Sequence, residues 1–261
     1  MASEAGVLIG PPEARADYNP LLRLILVNVL AVTGLGILWR LGLLDLVIST
    51  DHTRVSLIIF AILVGTTLHC FYQTISVSRE LIAARRVRQI LENEAGTRFA
   101  LGESGVVTTM GTSLPQGILS GHISALVRKS QLQSSGPVDQ GLLLRLLADR
   151  LRGREKLGLF VSEALLRLAL LGTAIGFILM LIPISALTSF EADTLRVALG
   201  GMTSGMAIAL NVTVAGIAGA LLLKLEYYLL DSAIVELFDT VVETTEIYVV
   251  SALEHVPNAR P

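Results

Sequence analysis

The sequence predicts an all-α membrane protein with four transmembrane helices and a helical cytoplasmic domain between the second and third of them. Three observations lead to this fold class: the composition, four long apolar stretches, and the distribution of basic residues. Of 261 residues, 52% are hydrophobic and only 16% are charged, and the mean hydropathy is +0.68. Soluble domains carry about 25% charged residues, so a typical cytosolic enzyme is excluded. A disordered chain is excluded as well, because disorder requires low hydrophobicity.

The apolar stretches approach or exceed the roughly 20 residues that cross a hydrocarbon core of about 30 Å. The stretches cover residues 21–39, 55–71, 157–187 and 199–223, and the second is the shortest. Their one acidic residue is Glu163, at the edge of the third stretch. The first stretch is predicted to be an uncleaved helix, because acidic residues precede it and it exceeds the apolar core of about 7–15 residues of a signal peptide.

The basic residues predict the orientation of the helices. Residues 78–156 contain twelve lysines and arginines, whereas the links 40–54 and 188–197 contain two and one. Cytoplasmic segments carry the excess of Lys and Arg. We therefore predict that the long middle segment and both termini are cytoplasmic, while the two short links face outside.

These features divide the chain into five segments. Residues 1–19 form a cytoplasmic tail, 20–76 the first two transmembrane helices, 77–156 the cytoplasmic domain, 157–225 the last two transmembrane helices, and 226–261 a cytoplasmic C-terminal helix and tail. Within the cytoplasmic domain, we expect a helix at its start, a looser Gly-, Ser- and Thr-rich tract over 96–136, and a helix from about 138 to 154. Lys224 and Glu226 are expected to mark the cytoplasmic end of the fourth transmembrane helix.

Motifs of enzymes are missing from the sequence. The histidines, His52, His69, His122 and His255, are scattered and predict no metal cluster. Cys70 is the only cysteine, which excludes an intrachain disulfide. No nucleophile-elbow, phosphate-loop or zinc-protease sequence occurs. With a formal net charge of −2, the chain is also no general nucleic-acid binder. We predict a protein that is not an enzyme and needs no cofactor.

Small and hydroxyl residues recur within the last two apolar stretches. In the third, Gly172 and Gly176 bracket Thr173. In the fourth, a stripe of small residues repeats at spacings of four and three: Gly205, Ala209, Thr213, Gly216 and Ala220. One explanation is close helix packing, with each hydroxyl bonded to a carbonyl of its own helix, which is the more common use of such a stripe. The other is a polar lining for an ion path.

Two segments of these stretches resemble the MotA/TolQ/ExbB proton-channel family. Residues 170–176, LLGTAIG, resemble its "LGLxGTxxG" segment, and residues 209–216, ALNVTVAG, resemble the "ALxxTxxG" segment of its next helix. Four crossings with a large cytoplasmic insertion are similar to the MotA branch, whereas TolQ and ExbB types have three crossings. The chain combines a MotA-like topology with TolQ/ExbB-like motifs.

The resemblance implies a motor subunit of the bacterial inner membrane. Five copies would form a ring whose last two helices line a pore, with Gly172, Gly176, Gly205, Ala209 and Gly216 at the packing and pore faces. Two copies of a single-pass partner of the MotB, TolR or ExbD type would occupy the pore. The partner's Asp would carry the ion, Thr173 and Thr213 would line its path, and ion flow would drive rotation.

The residues themselves favour part of this implication. Neither pore helix has a carboxylate in its hydrocarbon part, and a Thr hydroxyl does not ionise near neutral pH. A proton path generally uses Asp, Glu or His, so a partner would have to supply the acid. The TolQ/ExbB glutamate five residues before the second Thr is Ile208 here, which leaves proton and sodium both open. Two other classes compete: a membrane scaffold or signalling protein without ion conduction, and a transporter subunit.

Overall fold

The computed structural model describes residues 19–42, 54–94, 99–102, 105–108, 110–133, 138–185 and 191–254. The predicted N-terminal tail, apart from residue 19, falls outside these ranges, as do most of the first short link and the start of the second. The helices are α1 (Asn19–Arg40), α2 (Val55–Asn93), α3 (Ile118–Leu132), α4 (Gly141–Arg152), α5 (Lys156–Ser185) and α6 (Ala192–Thr244). A π-helical segment (Thr245–Val250) and a short α7 (Ser251–Glu254) follow, and strands β1 (Phe99–Gly102) and β2 (Gly105–Thr108) form a hairpin.

Four helical segments are long and apolar enough to cross a membrane, as predicted. They are Pro20–Arg40, Val55–Asn93, Gly141–Ser185 and Ala192–Leu253. Large apolar side chains on these segments are exposed, with Leu30 at 73% and Leu170 at 69%. Water would penalise such surfaces, whereas lipid or a neighbouring protein would not. The all-α class is confirmed, and the four helices suggest a multi-pass membrane protein.

Two helices run continuously through predicted segment boundaries. The sequence predicts segment boundaries at residues 76/77 and 225/226, but α2 and α6 continue without a break through both positions. Neither Gly nor Pro occurs between residues 66 and 94 or between 220 and 256, so nothing local ends the helices there. The apolar period also continues, because α2 buries Val77, Leu81 and Ala84 just after the first boundary.

The tract over 96–136 is more regular than predicted. Its described residues contain the antiparallel hairpin, in which Phe99 pairs with Thr108, and the 15-residue helix α3. Leu119, Ile123 and Leu126 are buried at helical spacing, a period that the Gly and Ser content obscured. The small polar residues mark the helix start instead, where Ser120 Oγ accepts a hydrogen bond from the Gly117 amide at 2.9 Å. The helix predicted from about 138 to 154 is confirmed as α4.

The chain divides into two compact units. The four-helix unit contains the described parts of 23–72 and 155–230, and the insertion unit contains the described parts of 1–22, 73–154 and 231–261. The core of the four-helix unit joins apolar side chains from α2, α5 and α6, namely Ile59, Leu165, Ile208, Val212, Ala220 and Leu223. This core includes Ile208, which is surrounded by aliphatic side chains.

Ion pairs join α2 to the C-terminal part of α6 within the insertion unit. Arg85 Nη2 lies 2.6 Å from Glu236 Oε1, and the Arg88 guanidinium contacts both oxygens of Glu243 at 2.8 and 3.1 Å. Arg88 also pairs with Glu92 of its own helix at 2.8 Å. Partly exposed pairs of this kind stabilise a fold by only about 0–1 kcal/mol each. Their effect is to align the two helices rather than to hold the unit together.

A buried polar network connects α3, the start of α4 and the π-helical segment. Thr245 Oγ1 donates to Gln140 Oε1 at 3.0 Å, and His122 Nε2 lies 3.4 Å from the same oxygen. Gln140 Nε2 in turn donates to Glu246. Burial lowers the pKa of His122, against the weaker opposing effect of its hydrogen bond to Gln140. The imidazole is therefore held neutral inside the insertion unit.

This burial predicts a loss of stability in mild acid. As the pH falls below about 6.5, the ordinary His pKa, the unfolded chain binds a proton that folded His122 does not bind. The melting temperature of the detergent-solubilised chain is therefore expected to fall between pH 7 and pH 5. His122→Gln keeps a polar side chain without a titratable ring and should flatten this dependence. An equally steep curve in that variant would show that other groups cause the effect.

Candidate functional site

The predicted packing glycines lie where α5 and α6 meet inside the four-helix unit. A Cβ atom built on Gly172 would lie 2.1 Å from Val212 Cγ1, and one on Gly176 would lie 2.7 Å from the Ala209 backbone nitrogen. Real Cβ atoms do not approach other heavy atoms so closely. Hydrogen at these two positions is therefore what allows the helices to touch.

The glycines of α6 complete the same contact. A Cβ on Gly205 would lie 2.5 Å from the Met180 nitrogen and 2.9 Å from the Gly176 carbonyl oxygen. A Cβ on Gly216 would lie 2.5 Å from Ala169 Cβ. Three members of the α6 stripe, Gly205, Ala209 and Gly216, therefore lie in the contact with α5. All five predicted small residues, Gly172, Gly176, Gly205, Ala209 and Gly216, take part in it.

Thr173 is half-buried beside this contact. Its Oγ1 donates to the Leu170 carbonyl of its own helix at 2.6 Å. The side chain also lines an open groove of about 400 Å³ between α5 and α6, whose other lining residues are Ala174, Phe177, Met180, Met206 and Ala209. Thr173 supplies the one hydroxyl among these six side chains, so the groove of a single copy offers an ion very few ligands.

Thr213 is half-buried on α6 and does not line the groove. Its Oγ1 donates to the Ala209 carbonyl at 2.8 Å, one turn earlier in the same helix. The structure thus brings one of the two predicted pathway threonines to the groove and leaves the other outside it. Both hydroxyls retain lone pairs after donating, so each can still accept a hydrogen bond or contact a cation.

Carboxylates are missing from the central part of both helices. Residues 164–185 of α5 and 194–225 of α6 contain neither Asp nor Glu. Among the residues that the structure describes, no group of three or more His, Cys, Asp or Glu side chains could hold a metal ion. The threonine and glycine region of one chain has the geometry of a packed helix pair, and it carries no acid.

Glu226 is a functional candidate that the sequence pattern alone does not reveal. It was expected at a membrane boundary, but the structure buries it completely, at 0% exposure. Thr67 of α2 donates to its Oε1 at 3.2 Å, while Oε2 is buried without a hydrogen bond from any described residue. Helical spacing was the available signal, since Glu226 shares the face of Leu223 and Leu230, both fully buried.

Aromatic and histidine side chains pack beside this carboxyl. Tyr227 follows Glu226 and is itself buried, and its hydroxyl lies 2.9 Å from His69 Nδ1 of α2. Gly158 of α5 makes room for the phenol, because a Cβ there would lie 2.2 Å from the ring. The result is a polar cluster formed by α2 and α6 at a place where α5 presents only a glycine.

Comparisons with known proteins add no relative to this description. No family model, no curated protein and no solved structure matches the chain.

Proposed function

We propose that the chain is a ring-forming subunit of an ion channel in the bacterial inner membrane, which converts a proton or sodium gradient into mechanical work. In this proposal both termini and the insertion unit are cytoplasmic. A single-pass partner carries the ion-binding Asp. The observation that carries the proposal is the pair of threonine segments, in the family's order, on two consecutive helices that pack directly on each other.

The acid-free centre of α5 and α6 supports the need for a partner. The hydroxyl oxygens of Thr173 and Thr213 can contact an ion, but these hydroxyls do not release or take up a proton near neutral pH. An Asp on a partner helix lying against these hydroxyls would supply the missing group. In such a mechanism, the titratable group of the partner would meet the threonines of successive ring subunits in turn, so that rotation would proceed in steps.

Exposed apolar side chains support assembly with other copies of the chain. By the family resemblance, this assembly would be a pentamer. The outer faces of α5 and α6 carry Phe177, Met206, Leu210 and Val214, which are 51–67% exposed in the single chain. The groove beside Thr173 is lined by flexible Met side chains and one Phe, a surface that suits a packed helix. Lipid would cover the remaining apolar faces.

A scaffold or signalling protein without ion conduction is the second candidate. It is favoured by the bonds of the threonines, since both hydroxyls donate to carbonyls of their own helices. That arrangement satisfies each hydroxyl with no ion present. Under this alternative, the glycine contact would hold the helix pair together, and the threonine hydroxyls would have no role in ion conduction.

Co-purification distinguishes the two candidates. The tagged full-length chain would be isolated from its native membrane in mild detergent, and its companions identified and quantified by mass spectrometry. The motor proposal expects a single-pass protein with an Asp in its membrane helix, at fewer copies than the chain. Isolation of the chain alone as a stable oligomer, or with unrelated multi-pass proteins, would contradict the motor and favour the scaffold.

A further inference from the structure

We propose that Glu226 is a proton-binding site within the four-helix unit, formed with Thr67 of α2 and Asn28 of α1. The proposal concerns this chain's own carboxyl and does not depend on the motor function proposed above. It assigns a binding role to a residue outside both threonine segments. The ligand is a proton, taken up and released by Glu226 Oε2.

The surroundings of Glu226 disfavour an ionised carboxylate. The side chain is 0% exposed, and no Lys or Arg among the described residues forms an ion pair with it. Its Oε2 receives no hydrogen bond from a described residue. A buried charge with neither counter-ion nor full hydrogen bonding is far more costly than a buried neutral acid. The favoured form therefore carries a proton.

The hydrogen bonds identify the oxygen that takes the proton. Thr67 Oγ1 donates to Oε1 at 3.2 Å, which marks Oε1 as the carbonyl-type acceptor. The Asn28 side chain also faces the carboxyl, while its amide nitrogen donates to the Leu24 carbonyl at 3.1 Å. The remaining oxygen, Oε2, is then the hydroxyl oxygen of the neutral acid.

Titratable neighbours of the site lie on α2 and α6. They are Tyr227, next in sequence, with Cys70 and His69, whose Nδ1 lies 2.9 Å from the Tyr227 hydroxyl. Gly158, where α5 packs against Tyr227, has no titratable side chain. None of these groups is a permanent cation, so none holds Glu226 ionised at all pH values. His69 itself is half-buried.

Infrared difference spectroscopy of the full chain in lipid vesicles tests the assignment. The carbonyl stretch of a protonated carboxyl is well separated from the two stretches of a carboxylate. The wild type minus Glu226→Gln spectrum at pH 7 is expected to contain the protonated band. A hydrated glutamate with a pKa of about 4.3 is protonated in only about one molecule in 500 at pH 7, so the Glu226 band should be on the order of 100-fold stronger per carboxyl.

Glu163 is the matched control, because it lies in the same unit with a side chain that is 60% exposed and pairs with Arg167. The wild type minus Glu163→Gln spectrum should show carboxylate bands. Raising the pH should remove the Glu226 band and lowering it should restore the band. Carboxylate bands for Glu226 at pH 7, or a protonated band that never responds to pH, would overturn the proposal. Loss of the band on adding Na⁺ at constant pH would replace the proton site by a sodium site.

A second variant keeps the test decisive if Glu226→Gln does not fold. Thr67→Val removes the hydroxyl that donates to Oε1 and nearly preserves side-chain volume. The carbonyl of a protonated Glu226 then loses its donor, and its stretch should shift to higher frequency in the Thr67→Val spectrum. The absence of any shift would show that the band belongs to another carboxyl and would overturn the proposal.

Discussion

Thr173→Val and Thr213→Val are each expected to reduce ion flux strongly while leaving assembly unchanged. Valine nearly preserves the volume of threonine, so the helix pair should still form. In the proposed ion path, the valine variants lose the hydroxyl lone pairs that would contact the ion. A hydrogen bond to a charged group contributes about 1.5–3 kcal/mol, which corresponds to a loss of at least about tenfold in rate. The measurement is proton or sodium flux in vesicles containing the complex as isolated from its native membrane, with oligomer size measured alongside.

Thr203→Val is the matched control for this pair. Thr203 lies on α6 and donates to the Leu199 carbonyl at 2.9 Å, the same type of bond that Thr213 makes, but it lies outside both family-like segments. Its replacement should leave the flux unchanged. Thr173→Ser and Thr213→Ser retain the hydroxyl and should retain most of the flux. Full flux in both valine variants would contradict the ion-path role and favour the packing role.

Gly205→Ala and Gly176→Ala are expected to destabilise the α5–α6 pair. Each added methyl would lie within 3 Å of backbone atoms of the other helix, which cannot move as a flexible side chain can. Forcing extra volume into a packed contact costs about 1–3 kcal/mol, and backbone contacts belong at the upper end of that range. Thermal unfolding of the purified chain in detergent measures the loss, and size-exclusion chromatography reports any change in assembly.

Gly200→Ala provides the control on the same helix. No atom lies within 4 Å of the position its methyl would take, and replacing a helical glycine by alanine is favourable by roughly 0.5–1 kcal/mol. Its stability should therefore be unchanged or slightly raised. Equal destabilisation by Gly200→Ala and Gly205→Ala would mean that the loss comes from the helix backbone and not from the contact with Met180.

The candidate site was only partly predictable, and Thr173 and Thr213 show why. The local sequence around each threonine predicts that it lies on a membrane helix beside small residues. This prediction needs only the segment that contains the threonine. Which of them lines the groove depends on the rotation of one helix against the other. A rotation set by contacts such as Gly176 against Ala209 is not encoded in either segment alone. The structure therefore separates two threonines that the sequence treats alike.

The four apolar helices and the all-α class could be predicted from the sequence alone, because a run of about 20 apolar residues is a local property of the chain. The sequence also predicted which small residues could form a stripe. The unbroken course of α2 and α6 through residues 76/77 and 225/226 was also readable in principle, because neither Gly nor Pro interrupts the chain there. The burial of Glu226, by contrast, is decided only by the tertiary structure. In the sequence, a carboxyl that follows a lysine near the end of an apolar stretch predicts a membrane boundary. The groups that surround Glu226 lie on α1 and α2, about 160 to 200 residues away in the chain, so its burial cannot be predicted from its own segment.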